Sequence, residues 1–384
     1  MHTVKTLKVR IKDKHARVLL AMAREVNQVF NFCNEVSAKA SNPYNGKPKW
    51  LSGFDLQKLV AGSTKGDDGL KIPSQTLQQV CEEYATRRKQ FKKHKLNWRV
   101  SNPKSSKYSL GWIPFKKGAV VYKAGQIRFA GKMFSLWDSY GLSQYELRGG
   151  SFSEDSRGRW YLNAVVQVFT KQSIGKESVG IDLGFKDAAT CSDGQVLRSR
   201  WFREKEKAIA IAQRAKKKKR VKAIHAKIAN CRKDAMHKLS TKLVAQNAAI
   251  FVGDVSTAKM VKMGNGKSAL DAGWAMFKTM LEYKATQAGV VFQEVQEAYS
   301  TQTCSVCGSI EGPKGRGELD VREWTCSCGA HHQRDINAAI NIKAKGLAKL
   351  AISKAAEAKA VETALNEAKA EAGHGLPVGG IPAL

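Results

Sequence analysis

SVGIDLGFKDAATCSDG (178–194) reads as two short apolar strands that turn back on one another, with Asp193-Gly194 supplying a hairpin turn into a third run, QVLRSR (195–200). The first strand carries a carboxylate, Asp182, at its end, set between Gly180 and Gly184. Glycine beside a strand-end acid lets another backbone, including a phosphate backbone, come close.

Downstream the texture alternates. Residues 203–248 have helical spacing and include RAKKKKR (214–220) and KIANCRKDAMHKLSTKLV (227–244). A buried strand AAIFVGDVS (248–256), a helix over GWAMFKTMLEYKATQAG (273–289) and a strand VVFQEV (290–295) follow. The order strand, strand, strand, helix, strand, helix, strand matches an RNase H-like fold, whose mixed sheet brings carboxylates to adjacent strand ends. Asp335 then opens a helix in RDINAAINI (334–342). An N-cap carboxylate would look the same. Paired with Asp182, it points instead to metal-dependent phosphodiester hydrolysis, in which carboxylate oxygens hold two hard divalent ions roughly 3.5–4 Å apart.

Upstream of Asp335 stand two tight thiol pairs, Cys304/Cys307 and Cys326/Cys328. Clustered thiols in a reducing compartment read as metal ligands, and four of them as a closed structural zinc site. The second pair is Cys-Ser-Cys, one residue tighter than Cys-x-x-Cys, so His331 or His332 is an alternative to one sulfur. Cys33, Cys81, Cys191 and Cys231 are scattered and read as buried small hydrophobes.

Working back toward the start, residues 3–11 alternate as a strand, and the stretch from Asp13 to about Ala40 has helical spacing. A second helix is expected over SQTLQQVCEEYATRRKQFKKHK (74–95). Its last turns carry Arg87, Arg88, Lys92 and Lys93 with few acids between them, which fits a phosphate-contacting surface better than a solvated face. Lys216, Lys217, Arg220 and Arg232 extend the same expectation. From about Lys104 to Thr170 short runs with turn signals suggest an antiparallel β-barrel or sandwich, with Tyr122, Phe129, Phe134, Trp137 and Trp160 as its core aromatics.

Bulk composition points the same way. Lys+Arg 65 against Asp+Glu 33 gives +32 over 384 residues. Charge of that size repels itself unless a polyanion neutralises it. A hydrophobic content of 43% is enough for two or three domains, unlike a short ribosomal or histone-like chain. No apolar run reaches transmembrane length and the N-terminus lacks a signal-peptide core, so the expectation is a soluble, cytoplasmic, nucleoid-associated protein with no membrane partner.

Four segments in this order, GIDLG with Asp182, IANCRKDAMHKLST (228–241), YSTQTCSVCG (299–308) and RDINAAINI, resemble the TnpB family of transposon-encoded RNA-guided nucleases related to type V CRISPR effectors. The resemblance implies a multidomain α+β chain. Its parts would be a wedge β-barrel (1–11 and 99–172), a helical recognition domain (12–98), a split RuvC nuclease domain (173–300 and 334–348), a zinc-binding target-nucleic-acid-binding insert (301–333) and an Ala/Lys/Glu-rich, partly disordered tail (349–384). It also implies a guide RNA from the transposon end, double-stranded target DNA bearing a short flanking motif, catalytic Mg²⁺, and one chain per guide RNA. Where most members carry a glutamate after the fourth RuvC strand, this chain has Asp254. The resemblance includes members with a relocated glutamate, and Glu294 and Glu297 are the candidates here. Two-residue periodicity places Val291, Val295 and Glu297 on one face and Glu294 on the other, so only one can serve. Strand order alone favours Asp254; the relocated-glutamate precedent favours Glu297, with Asp254 auxiliary. A guided DNA-binding repressor that has lost cleavage, and a transposase that joins strands itself, are the alternatives.

Overall fold

The computed structural model describes residues 2–66, 68–169, 173–314, 318 and 320–372. The expected disordered end, GHGLPVGGIPAL (373–384), and the wedge limit at residue 172 lie outside the described residues. The chain divides into two compact units, Met1–Thr170 and Lys171–Leu384. Among the described residues no helix is long and apolar enough to cross a membrane.

The first unit contains β1 (His2–Ile11), α1 (Ala16–Ala40), α2 (Gly53–Leu59), α3 (Ser74–Phe91), β2 (Trp112–Phe115), β3 (Val121–Lys123), β4 (Gln126–Phe129), β5 (Lys132–Trp137), β6 (Leu147–Glu154) and β7 (Trp160–Phe169). One antiparallel sheet of order β2-β6-β7-β1-β5-β4-β3 holds all seven strands. Alternation decides its faces: Leu7, Val9 and Ile11 of β1 and Leu162, Ala164 and Val166 of β7 turn inward. They meet a phenylalanine cluster in which Phe129 and Phe152 have ring centroids 4.9 Å apart.

The expected closed barrel is not formed. β2 and β3 are the edges of the sheet and do not pair with each other. These edge strands have only 4 and 3 residues. The core is instead completed by helices, because Leu19, Val26 and Phe30 of α1 and Leu77, Val80 and Tyr84 of α3 join Ile113 and Phe115 in the same cluster. Phe129, Phe134 and Trp160 are buried as expected of core aromatics, whereas Trp137 is 61% exposed with the Lys12 ammonium over its ring. Helix α3 stops at Phe91, short of Lys95, because Lys92 turns left-handed at φ 50°.

The second unit contains β8 (Glu177–Asp182), β9 (Asp187–Cys191), β10 (Val196–Arg198), α4 (Glu206–Arg214), α5 (Lys218–Gln246), β11 (Asn247–Gly253), α6 (Thr257–Met260), α7 (Gly266–Ala272), α8 (Trp274–Ala288), β12 (Val291–Val295), β13 (Glu323–Thr325), β14 (His331–Gln333) and α9 (Arg334–Ala372). Its main sheet, β10-β9-β8-β11-β12, is mixed: β8, β9 and β10 form an antiparallel meander, while β11 runs parallel to β8 and β12. β11 is buried on both faces, which is why AAIFV reads as a continuous apolar run. Ile250 and Val252 pack with Leu243 of α5 and Phe277 of α8. Ala249 and Phe251 pack with Ile342 of α9.

Gly180 permits the approach of α9 to the sheet, since a Cβ there would meet the Ala339 carbonyl oxygen at 2.0 Å. The helical stretch 203–248 is broken between Arg214 and Lys218, with Lys216 left-handed at φ 51°. α9 continues through residue 348 without interruption.

Candidate active site and thiol cluster

Strand parity settles which acids can meet. In β8, Val179 and Ile181 face the core under α5 and α8, so Gly180 and Asp182 face α9. In β12, Val295 packs with Ile342 of α9, and Glu297, two residues on, keeps that side. Asp335 lies in the first turn of α9. Burial, then the negative charges of Asp335 and Glu297, push the Asp182 carboxyl up to about 7 against the opposing pull of Arg334. Glu297 is itself raised, by burial and then by Asp254, with Lys278 opposing.

Gly253 makes room for Glu297. A Cβ at that position would stand 2.6 Å from the Glu297 Oε2 and 3.4 Å from Ile342, so the carboxylate lies over the end of β11 where any side chain would displace it. Asp254 follows Gly253, the last residue of β11, and is exposed. Its amide donates to the Val295 carbonyl at 3.0 Å, and its Oδ1 accepts the Glu297 amide at 3.3 Å. Of the two acids it is Glu297, seated over Gly253, whose charge acts on Asp182, although strand order alone favours Asp254. Glu294 is held on the opposite face by Lys278, 2.6 Å away.

Asp335 is not the helix cap. Gln333 accepts the Ile336 amide through its Oε1 at 2.7 Å, and the Asp335 carboxylate instead takes Arg322 at 2.7 Å and Arg334 at 3.1 Å. The carboxylates are not drawn as tightly together as the thiols: among the described residues, the four cysteines are the group of three or more potential ligands whose atoms all lie within 4.8 Å. The acids nevertheless fit a hard divalent cation. They offer only oxygens, and the like charges that disfavour ionised Asp182 are what a cation would neutralise.

The thiol cluster is built from two local turns. Cys304 accepts the Gly308 amide at its carbonyl, Cys326 accepts that of Gly329, and both glycines are left-handed, at φ 81° and 85°. The shorter Cys-Ser-Cys turn thus brings Cys328 in, and its Sγ lies 3.8 Å from that of Cys304, while Cys307 and Cys326 are 3.6 Å apart. Hydrogen bonding by Ser309 lowers the Cys307 thiol to about 6, toward the thiolate that a metal requires. His332 is buried with its Nε2 3.0 Å from the Cys304 Sγ, as a neighbour of the cluster, while His331 turns away to Thr325. The cluster is tied to α9 by Asn337 and Asn341, whose side-chain amides donate to the Thr303 carbonyl at 2.8 and 2.6 Å.

The sequence reading did not single out Arg322, Lys278, Gly253 or the Asn337/Asn341 pair. Only the asparagines left a legible trace, two polar residues at i and i+4 in an otherwise apolar helical run.

Of the expected phosphate contacts, Lys92, Lys93, Lys216, Lys217 and Arg220 are exposed, as is Arg87, which is paired with Glu83 at 2.7 Å. Arg88 and Arg232 are different. Arg88 is 3% exposed, donates to the Leu51 carbonyl at 2.8 Å and stacks over Trp50. Arg232 donates to the Leu270 carbonyl at 2.9 Å and lies near Asp271. Both cations donate to the protein's own carbonyls, Arg88 buried and Arg232 part-buried. Cys231 is also corrected: it is exposed on α5, unlike buried Cys33, Cys81 and Cys191.

Residues 274–342 match the family described as "Cas12f1-like, TNB domain", and residues 161–264 the family described as "Probable transposase". The chain is 33% identical over 264 residues to a Streptomyces pristinaespiralis protein named "Putative RNA-guided DNA endonuclease", covering 64% of this chain and 65% of that protein. It is 30% identical over 223 residues to "TnpB-like protein L79" of Acanthamoeba polyphaga mimivirus, covering 50% of this chain and 42% of that one. The chain thus spans less than two thirds of the length of either relative. Its fold is similar to a chain in a cryo-EM structure of a Cas12f1-sgRNA-target DNA complex, with a TM-score of 0.56 at 13% identity over 89% of this chain and 99% of that chain. Two family matches thus cover successive parts of the second unit and its flank, and over half to about two thirds of its length the chain is similar to relatives named as an RNA-guided DNA endonuclease and a TnpB-like protein.

Proposed function

We propose that this chain is an RNA-guided DNA endonuclease that cuts double-stranded DNA beside a short flanking motif. Guide pairing would choose the sequence while the protein holds backbones, which suits a chain dominated by cations rather than by one base-reading helix. The carrying observation is that Asp182, Glu297 and Asp335 lie on the α9 side of the mixed sheet, where burial and then the charges of the other two acids push the Asp182 carboxyl up to about 7.

In this reading the mixed sheet with its helices is an RNase H-like, RuvC-type nuclease domain, the cysteine segment is its target-binding insert, and the seven-stranded sheet is the wedge with α1 to α3 as recognition helices. Asp182, Glu297 and Asp335 would hold two Mg²⁺ ions, with Asp254 auxiliary; bound there, the ions supply an activated water and neutralise the leaving oxygen. The protein's own part is positional. Gly253 leaves space for Glu297, and Arg322 and Arg334 orient Asp335. Cys304, Cys307, Cys326 and Cys328 would hold one structural zinc, a closed site without room for substrate. One chain per guide RNA, acting in the cytoplasm on nucleoid DNA, completes the proposal.

Sequencing the RNA that copurifies with the protein is the first test, since a discrete transposon-end transcript separates guided action from a transposase joining strands itself. Cleavage of a plasmid carrying the matching target, lost in Asp182→Ala with guided binding intact, is the second. The guided-repressor reading has one observation in its favour: Asp335 is engaged by two arginines. It prevails if the wild-type protein binds guided target and does not cut at any Mg²⁺ or Mn²⁺ concentration.

A further inference from the structure

Within the first unit, a cavity of about 450 Å³ opens between the end of α3, the loop after it and strand β2. That volume lies in the range that small organic ligands occupy, roughly 300–1,000 Å³. Its floor is rigid. The Arg99 guanidinium sits over the Phe30 ring at 5.6 Å and the Trp112 ring at 5.7 Å, and is fixed by Asn27 and by the Leu110 carbonyl at 2.9 Å. One wall is Phe91, 57% exposed at the last residue of α3, where the left-handed Lys92 ends the helix. The exposed amide of Asn97 also lines the cavity, and Arg87 and Lys93 stand with it.

We infer that this cavity takes a single unstacked nucleobase from a nucleic-acid strand, with Phe91 and Trp112 providing ring surfaces, Asn97 meeting the base edge, and Arg87 and Lys93 holding the flanking phosphate. The exposed Phe91 ring, with part-buried Trp112 also lining the cavity, offers a π-face that any base can use. An amide presents both a donor and an acceptor, which suits a base edge. Of the charged groups in the lining, Arg99 is held by Asn27 and the Leu110 carbonyl and Arg87 is paired with Glu83, so the exposed Lys93 is the cation that favours a phosphate-bearing occupant. A strand is favoured over a free nucleotide because the cavity is open to the surface beside the exposed Lys89, Lys92 and Lys95, which would follow a continuing backbone. This inference rests on the nucleic-acid reading of the chain and adds a specific site to it.

The test uses the full-length protein with fluorescein-labelled oligouridylate and oligothymidylate, the two arms distinguishing RNA from DNA as the source of the base. Anisotropy is read at salt high enough to suppress non-specific phosphate contacts. Photocrosslinking with 4-thiouridine or 4-thiothymidine in the strand, followed by peptide mapping, is expected to label the segments holding Phe91, Asn97 or Trp112. Phe91→Ala is expected to weaken one arm about fivefold or more, the lower end of what losing one base-stacking ring does. Because Phe91 is exposed, that variant should keep the wild-type melting temperature; Trp112→Ala touches the part-buried Arg99 and is the secondary variant. Wild-type affinity in Phe91→Ala and Asn97→Asp, with crosslinks only elsewhere, overturns the inference while leaving nucleic-acid binding intact. A loss in Lys93→Ala alone also overturns it, reducing the cavity to a phosphate contact. If the wild-type chain binds neither oligomer, nor any RNA or DNA, the broader functional reading fails as well.

Discussion

The thiol cluster and the carboxylate site occupy the same unit and meet the same helix, yet they are assembled in opposite ways. The thiols come from one segment, Cys304 to Cys328, folded by two left-handed glycine turns. The acids come from the ends of β8 and β12 and the start of α9, separated by more than a hundred residues between Asp182 and Glu297. A local site pays little loop-closure entropy, whereas the dispersed one exists only when the sheet and α9 are docked. Local turns can thus fix a ligand set by spacing alone, while an active site built from strand ends inherits its geometry from packing.

The contrast can be broken most directly at the acids. Asp182→Ala and Asp335→Ala are expected to lower divalent-dependent cleavage by more than about a hundredfold, the scale of misplacing a reacting group by roughly 1 Å, while guided binding persists. Target cleavage and binding measured in parallel check this; residual cleavage near wild type would remove these acids from the chemistry.

At the thiols the expected loss is of metal and local order. Cys304→Ser should abolish stoichiometric zinc and make residues 301–333 sensitive to protease, with the mixed sheet still folded. Cys33→Ser, in the core of the other unit, should retain the metal. Elemental analysis with limited proteolysis decides; equal zinc in both variants would dismiss the cluster as a metal site.

A finer test asks whether packing truly sets the acid geometry. Gly253→Ala puts a methyl group against Glu297 and is expected to reduce cleavage about tenfold or more, as placement errors do. Glu297→Gln should abolish cleavage, and Asp254→Asn, whose carboxylate accepts the Glu297 amide, should be milder. An inactive Asp254→Asn beside an active Glu297→Gln would reverse the assignment of the third carboxylate.

The smallest expected effect is on pH dependence. Because the Asp182 pKa is raised in the folded state to about 7, the folded protein binds more protons than the unfolded chain between the ordinary aspartate range and pH 7. In metal-free protein this contribution is fully favourable below that range and is lost as pH rises through about 7. Asp182→Asn should flatten that part of the melting temperature against pH, and divalent cation should oppose the loss in the wild type. A profile unchanged by the substitution would mean that neither burial nor the neighbouring charges disfavour ionised Asp182.

The sequence by itself carried whatever depends on spacing and period. Cysteine spacing named the thiol set, the apolar run around Phe251 and the hairpin at Asp193-Gly194 marked the mixed sheet, and the strand-end position of Asp182 marked an acid worth attention. Tertiary structure decided what depends on distant partners. It left the first sheet open because α1 and α3 fill its core, and it turned Arg88 and Arg232 inward to carbonyls that lie 37 and 38 residues away in the chain. It also gave Asp335 to two arginines instead of a helix cap, and seated Glu297 over Gly253. Charge and periodicity are properties of a segment, so they can be read along the chain; which carbonyl an arginine reaches, or which glycine leaves room for a carboxylate, is fixed only when separate segments pack.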